Sequence, residues 1–215
     1  MTSQRQPRFL KGGIVLLDPD TGEVQRTLPM LINPATLSRS FEVRSMGEEG
    51  GRSAPLRLVG PAVETISVEA KLEVSDALAR GDTLAEEEGV RPYIAALQML
   101  VTPTSDALQR NDDLQSSGAL EIVPMDQPLA LFVWGPTNIL PVRVTAASVV
   151  EEFFNPRLMP LSAMVTLSLR SLSVDDLGFA SRGGAIYLSY LRAVEASAAR
   201  LPAANTADLG IEGAL

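Results

Sequence analysis

The 215-residue chain contains no cysteine and no histidine. Without cysteine there is no disulfide framework and no thiolate metal site, as fits a reducing compartment. Without histidine there is no imidazole base, no Ser/His/Asp or Cys/His nucleophile system and no His-ligated zinc or iron. Cations are scarce too, with 18 Lys and Arg against 26 Asp and Glu and a net charge of -8. A general nucleic-acid binder needs clustered positive charge that this composition does not supply. Long apolar runs are also missing, since no window approaches the roughly 18 to 20 residues a membrane span requires. Near the N-terminus the apolar stretch Ile14 to Leu17 is too short for a signal-peptide core and ends in Asp18-Pro19-Asp20, so no export signal is read. No internal repeat supports a solenoid or propeller.

What is present is enough apolar residue, 46% of the chain, to build a real core of one domain plus an appendage. Residues Gly13 to Leu17 and Glu23 to Ile32, joined by Asp18-Pro19-Asp20-Thr21-Gly22, read as a β-hairpin. Pro34 cannot donate to a strand ladder, so Asn33-Pro34 marks a corner or an edge, and Thr36 to Arg44 forms the next strand. In that strand Leu37 and Phe41 are expected in the core and Arg39 and Arg44 outside or toward a neighbour. Residues 45 to 62, rich in Gly, Pro and charge, read as a long loop.

The clearest periodicity is ETISVEAKLEV. Ile66, Val68, Ala70, Leu72 and Val74 share one face; Thr65, Ser67, Glu69, Lys71 and Glu73 share the other, a period of two for a half-buried strand. If such a strand lined a channel, Glu64, Glu69 and Glu73 are the carboxylates to consider. Beyond a polar stretch, Tyr93, Ile94, Leu97, Leu100 and Val101 recur at helical spacing, with Pro92 in the first turn and Pro103 just past the end. Residues 104 to 127 read as loop. Then LALFVWG, ILPVRVTAASVVEEFF and LSAMVTLSLRSLSV form an antiparallel meander. In its last strand Ala163, Val165, Leu167 and Leu169 face opposite to Met164, Thr166, Ser168 and Arg170. From Arg182 to Leu201, Ile186, Tyr187, Tyr190, Leu191, Val194, Ala198 and Leu201 suggest an amphipathic helix after a Gly183-Gly184 hinge. The end from Pro202 onward reads as a loosely held tail.

The expected fold class is mainly β (α+β): a split β-barrel or sandwich with one inserted helix, residues 1–177, followed by a C-terminal helix and tail, residues 178–215. Few residues suggest chemistry. Glu151 and Glu152 are adjacent on a strand and so point to opposite faces, which argues against a dyad, and Asp175-Asp176 and Glu86-Glu87-Glu88 read as solvated surface. The glycines of GGRSAPLRLVG lack phosphate-loop spacing. Trp134 reads as core. No cofactor and no metal is expected. A carboxylate-based glycan hydrolase is the enzyme class that survives the missing His and Cys, because paired carboxylates suffice for it.

Taken in order, LINPATLSRSFEVR, ETISVEAKLEV, GVRPYIAALQMLVTP and the segment from LALFVWG to LSLRSL resemble the tube-like N-terminal domain family of contractile injection systems. The matching elements are Ile32-Asn33-Pro34, Thr65 to Val74, Tyr93 to Val101, Phe132-Val133-Trp134-Gly135 and Val144 to Leu172, covering about residues 10 to 175. The resemblance implies a non-enzymatic baseplate protein of a phage-tail-like particle, assembled in the bacterial cytoplasm. Its tail-tube-like barrel would form a hexameric ring between spike hub and inner tube, with those two proteins and other baseplate proteins as partners. Family members often carry a lysin-motif domain after the barrel; the segment Gly178 to Leu215 is too short and of the wrong composition for one, which leaves an inner-tube or tube-initiator subunit as the alternative. The candidate subunit-interface residues are Arg39, Arg44, Arg52, Arg57, Tyr187 and Tyr190. The physical rationale is that each uncovered sheet edge finds its partner in a neighbouring copy.

Overall fold

A chain that alternates apolar and polar residues over eleven positions buries one face of a strand if something covers that face. The computed structural model of the protein, which describes residues 9–18, 21–45, 57–116 and 127–202, shows this for β4 (Val63–Glu73). Ile66, Val68, Ala70 and Leu72 are all buried, as is Val74 just beyond. Six further strands complete a mainly β fold: β1 (Gly13–Leu17), β2 (Val24–Pro29), β3 (Leu37–Glu42), β5 (Leu129–Val133), β6 (Ile139–Phe154) and β7 (Pro160–Ser171). They form one seven-stranded antiparallel sheet in the order β2-β1-β5-β6-β7-β4-β3. The expected hairpin and meander are both present in it.

The sheet curls on itself. Leu28 of β2 and Ala70 of β4 stand five strands apart, a separation of about 24 Å in a flat sheet, yet both line one apolar cavity of about 40 Å³. Ile14, Leu72, Val165, Leu167, Tyr93 and Leu97 line the same space. The inner surface is therefore a continuous core, with Ile66, Phe132, Leu140, Ala163 and Leu169 fully enclosed. Each large apolar side chain so enclosed contributes about 1.5–3 kcal/mol.

Where one helix was expected between β4 and β5, four occur among the described residues: α1 (Ser75–Ala79), α2 (Thr83–Glu88), α3 (Arg91–Gln98) and α4 (Ser105–Ser116). Only α3 carries the apolar spacing that reveals a helix in sequence, and its Tyr93, Ile94 and Leu97 pack on the core, with Leu100 just past its end. The first two are too short to show a period, and α4 buries none of its residues. Their signal is local: the Asp82 carboxylate accepts from the Ala85 N–H and caps α2. That helix ends at Gly89, whose positive φ of 59° and contact with the Pro160 carbonyl leave no space for a Cβ.

Beyond β7, Ser173 and Asp176 form a capping box at the start of α5 (Val174–Leu177). The last helix, α6 (Arg182–Ala198), lies against β6 and α5 and contributes Tyr187 and Tyr190 to the core. Only its first half is covered. Val194 and Leu201, which the apolar spacing placed on the packing face, are exposed. The Gly183-Gly184 pair is a packing contact inside the first turn of α6, not a hinge before it: a Cβ at Gly184 would strike the Gly178 carbonyl.

The Asn33-Pro34 corner carries the chain from β2 at one margin of the sheet to β3 at the other. Asn33 fixes it by accepting from the Gly12 N–H at 3.0 Å and donating to the Leu10 carbonyl at 2.7 Å.

Candidate functional site

The residues singled out in sequence fall into separate places. Arg39 stands opposite Ile66 across β3 and β4, on the inner face of the sheet, and not outside as expected. Its guanidinium donates to the Tyr190 hydroxyl at 3.1 Å, and that hydroxyl donates to Glu64 Oε2 at 3.1 Å. Glu64 is 5% exposed. Its Oε1 lies 3.1 Å from Arg39 Nη1 as an ion pair, off the line of the N–H bonds, and so receives no hydrogen bond. A buried carboxylate without its cation is strongly unfavourable, so Arg39 is drawn inward by Glu64. Burial pushes the Tyr190 hydroxyl above the ordinary tyrosine value, and the Glu64 charge adds to that while Arg39 opposes it. Tyr187, also raised chiefly by burial, packs at a ring-centroid distance of 6.4 Å from Tyr190.

Arg44 reaches Asp175 across an exposed pair. Arg57 is exposed, and Arg52 lies outside the described residues. Phe41, expected in the core, is 60% exposed: it shares the inner-face row of Glu64 but stands on the margin strand β3. Arg39, Tyr187 and Tyr190 thus join α6 to the sheet within one chain. Glu64, the partner that organises them, carried no sequence signal beyond its even spacing with Ile66.

Carboxylates do not converge. Glu151 shares a cross-strand row with Ala163 and Leu72 on the inner face, and Glu152 shares one with Ser162 and Glu73 on the outer face. Glu73 is held below the usual carboxylate range by hydrogen bonds from Lys71 and Ser75 and by the Lys71 charge. Burial raises Asp176, but the Ser173 N–H and Arg170 outweigh it and hold it low. Among the described residues, no group of three or more acidic side chains gathers to hold a metal ion. Trp134 stacks on Phe132 at 6.1 Å and fills the space beside Gly12.

The feature that stands out is the margin of the sheet. Among the described residues, β2 and β3 have neighbours on one side only. So does most of β6: β5 pairs with Ile139 to Val142, and from Arg143 to Phe154 no strand among the described residues takes that side. This long unpaired edge ends in a turn built to stay rigid. The Asn155 side chain accepts from the N–H groups of Arg157 and Met159, at 2.9 and 3.0 Å, and its backbone exchanges bonds with Leu158 and Met159. The turn displays Phe153, Phe154 and Leu158 at 73%, 52% and 77% exposure, and holds Phe153 and Leu158 at φ of 54° and 61°. Positive φ at large non-glycine residues is unfavourable and persists only where surroundings enforce it. The sequence did carry a trace of this, because adjacent residues on a strand cannot both face inward, so Phe153-Phe154 guarantees an outward aromatic.

No protein-family model matches the chain, and no curated protein does. Among solved structures the chain is similar to a chain in the tail of an empty gene transfer agent particle, computed with helical refinement in C6 symmetry. The two share 13% identity at a TM-score of 0.30, over 75% of this chain and 90% of that one. It is also similar to a chain of the native gene transfer agent virion, at 12% identity and a TM-score of 0.28, over 74% and 90% respectively. Neither likeness assigns a family at these scores.

Proposed function

We propose that this protein is a structural, ring-forming subunit of a phage-tail-like contractile injection particle, acting in the baseplate between spike hub and inner tube. The observation that carries the reading is the open β6 margin from Arg143 to Phe154, together with the open outer strands β2 and β3. Long exposed strand edges are normally blunted or covered because they pair with any suitable neighbour. An edge left open next to a rigid, apolar turn serves pairing with other copies, and repeated head-to-tail pairing closes into a ring. The sequence resemblance over about residues 10 to 175 points to the same class of particle. Arg57, with its charge exposed, remains an interface residue in this reading, as does Arg44.

Negative-stain images of the purified chain, alone and with tube and spike proteins, test it. Sixfold annuli are expected, and the protein that adds to them identifies the layer, an inner-tube or tube-initiator position included. A chain that stays monomeric with both partners present overturns the proposal.

A further inference from the structure

The apolar turn at the end of β6 has a counterpart elsewhere on the same molecule. A groove of about 250 Å³ opens where β5 stops pairing with β6, walled by Leu16, Met99, Leu129, Val142 and Val144. A second depression of about 330 Å³ shares Leu16, Met99, Gln127 and Pro128 with it, so the two are continuous. Among the described residues the charged ones that line them are Arg143, Arg26 and Arg110, each exposed and without an acidic partner there.

The turn carries the opposite charge. Glu151 stands next to it, and α2 beneath it exposes Glu86, Glu87 and Glu88, tied to the turn by the Asn155 amide on the Glu86 carbonyl. Arg157 is the one cation in the turn itself. An apolar knob within an acidic surround thus matches an apolar groove within a basic one. The two cannot meet in one copy, because Val144 and Phe153 are about 30 Å apart along an extended strand.

We propose that the hairpin end of one copy, Phe153, Phe154 and Leu158, seats in the Met99–Val144 groove of the next. The contact is head-to-tail, joining different surfaces of identical chains, and so propagates around a ring or along a stack. It rests on the ring-forming reading and names the surfaces that reading uses. Like charges exclude the alternative of knob against knob, and the arginines steer the acidic end into the groove.

The absence of native cysteine makes the test direct. Chains carrying Leu158→Cys alone and Met99→Cys alone are mixed and treated with a short bis-maleimide. A mixed dimer is expected, with little product from either variant by itself. Leu158→Asp is expected to weaken self-association at least about tenfold while leaving the melting curve in place, and Arg143→Glu to weaken it and reduce its salt dependence.

Leu158→Cys linking chiefly to itself, or to an added tube or hub protein, overturns the proposal. So does a Met99→Cys thiol that resists labelling in the unassembled chain, since the groove is then already filled. Annuli that form without the mixed cross-link refute this seating and leave the ring reading standing, whereas absence of both annuli and cross-link removes both.

Discussion

One strand, β6, passes through two environments. Its first part, Leu140 to Val142, is buried, flanked by β5 and β7, and overlain by core from the curled sheet. Its second part, Thr145 to Phe154, keeps β7 on one side and, among the described residues, has an open edge on the other, with most of its side chains in solvent. The second part, TAASVVEEFF, is less apolar than ILPV but still carries Val150, Phe153 and Phe154 in solvent, which composition alone does not explain. Neighbours do. A strand with both edges paired and one face covered is structural interior; the same backbone with an open edge is a surface that can accept another chain.

The largest expected effect lies in the enclosed part. Leu140→Ala should destabilise the protein by about 2–5 kcal/mol, read by denaturant unfolding; a loss as small as that of a surface substitution would erase the distinction between the two halves. Arg39→Ala, at the same closed end, leaves Glu64 buried without its cation and is expected to lose about 1–3 kcal/mol in the same assay. Removing the cap of α5 with Ser173→Ala should lose about 1 kcal/mol.

The closed end also sets the response to pH. Tyr190 and Tyr187 are raised above their ordinary value of 10.0, so their contribution is complete below that pH and is lost as pH climbs through the higher folded values. Asp176 is lowered, so its contribution is present above its ordinary 3.8 and is lost as pH falls through the folded value. Melting temperature across pH should therefore decline at both extremes. Tyr190→Phe should flatten the alkaline limb, and an unchanged limb would show that ionisation of Tyr190 does not set it. The smallest change is expected at the open end, where Val150→Ala should shift monomer stability by no more than about 0.5 kcal/mol.

Much of the fold was legible in sequence because alternation along a strand is a local property. The faces of β4 and β7 follow directly from ETISVEAKLEV and LSAMVTLSLRS, and α3 from the spacing of Tyr93, Ile94 and Leu97. The short helices α1 and α2 were not legible, because a helix of one or two turns has no measurable period, and α4 was not because it packs no apolar stripe. Of the residues proposed for the site, Arg39, Tyr187 and Tyr190 were noticed for their type, yet they are used inside the chain. The apolar turn at Phe153 to Leu158 is marked in the sequence only by paired phenylalanines followed by Asn-Pro, a local pattern that does not tell a surface turn from a covered one.

The sequence alone determined which residues share a face, that the chain has a core, and that histidine and cysteine chemistry are impossible here. Only the tertiary structure decided which margins stay open, that Glu64 is buried beside Arg39, and where an apolar turn meets no cover. The reason is that a side chain's direction follows from the backbone period of its own strand, whereas the occupancy of a strand edge depends on where distant segments of the chain come to rest.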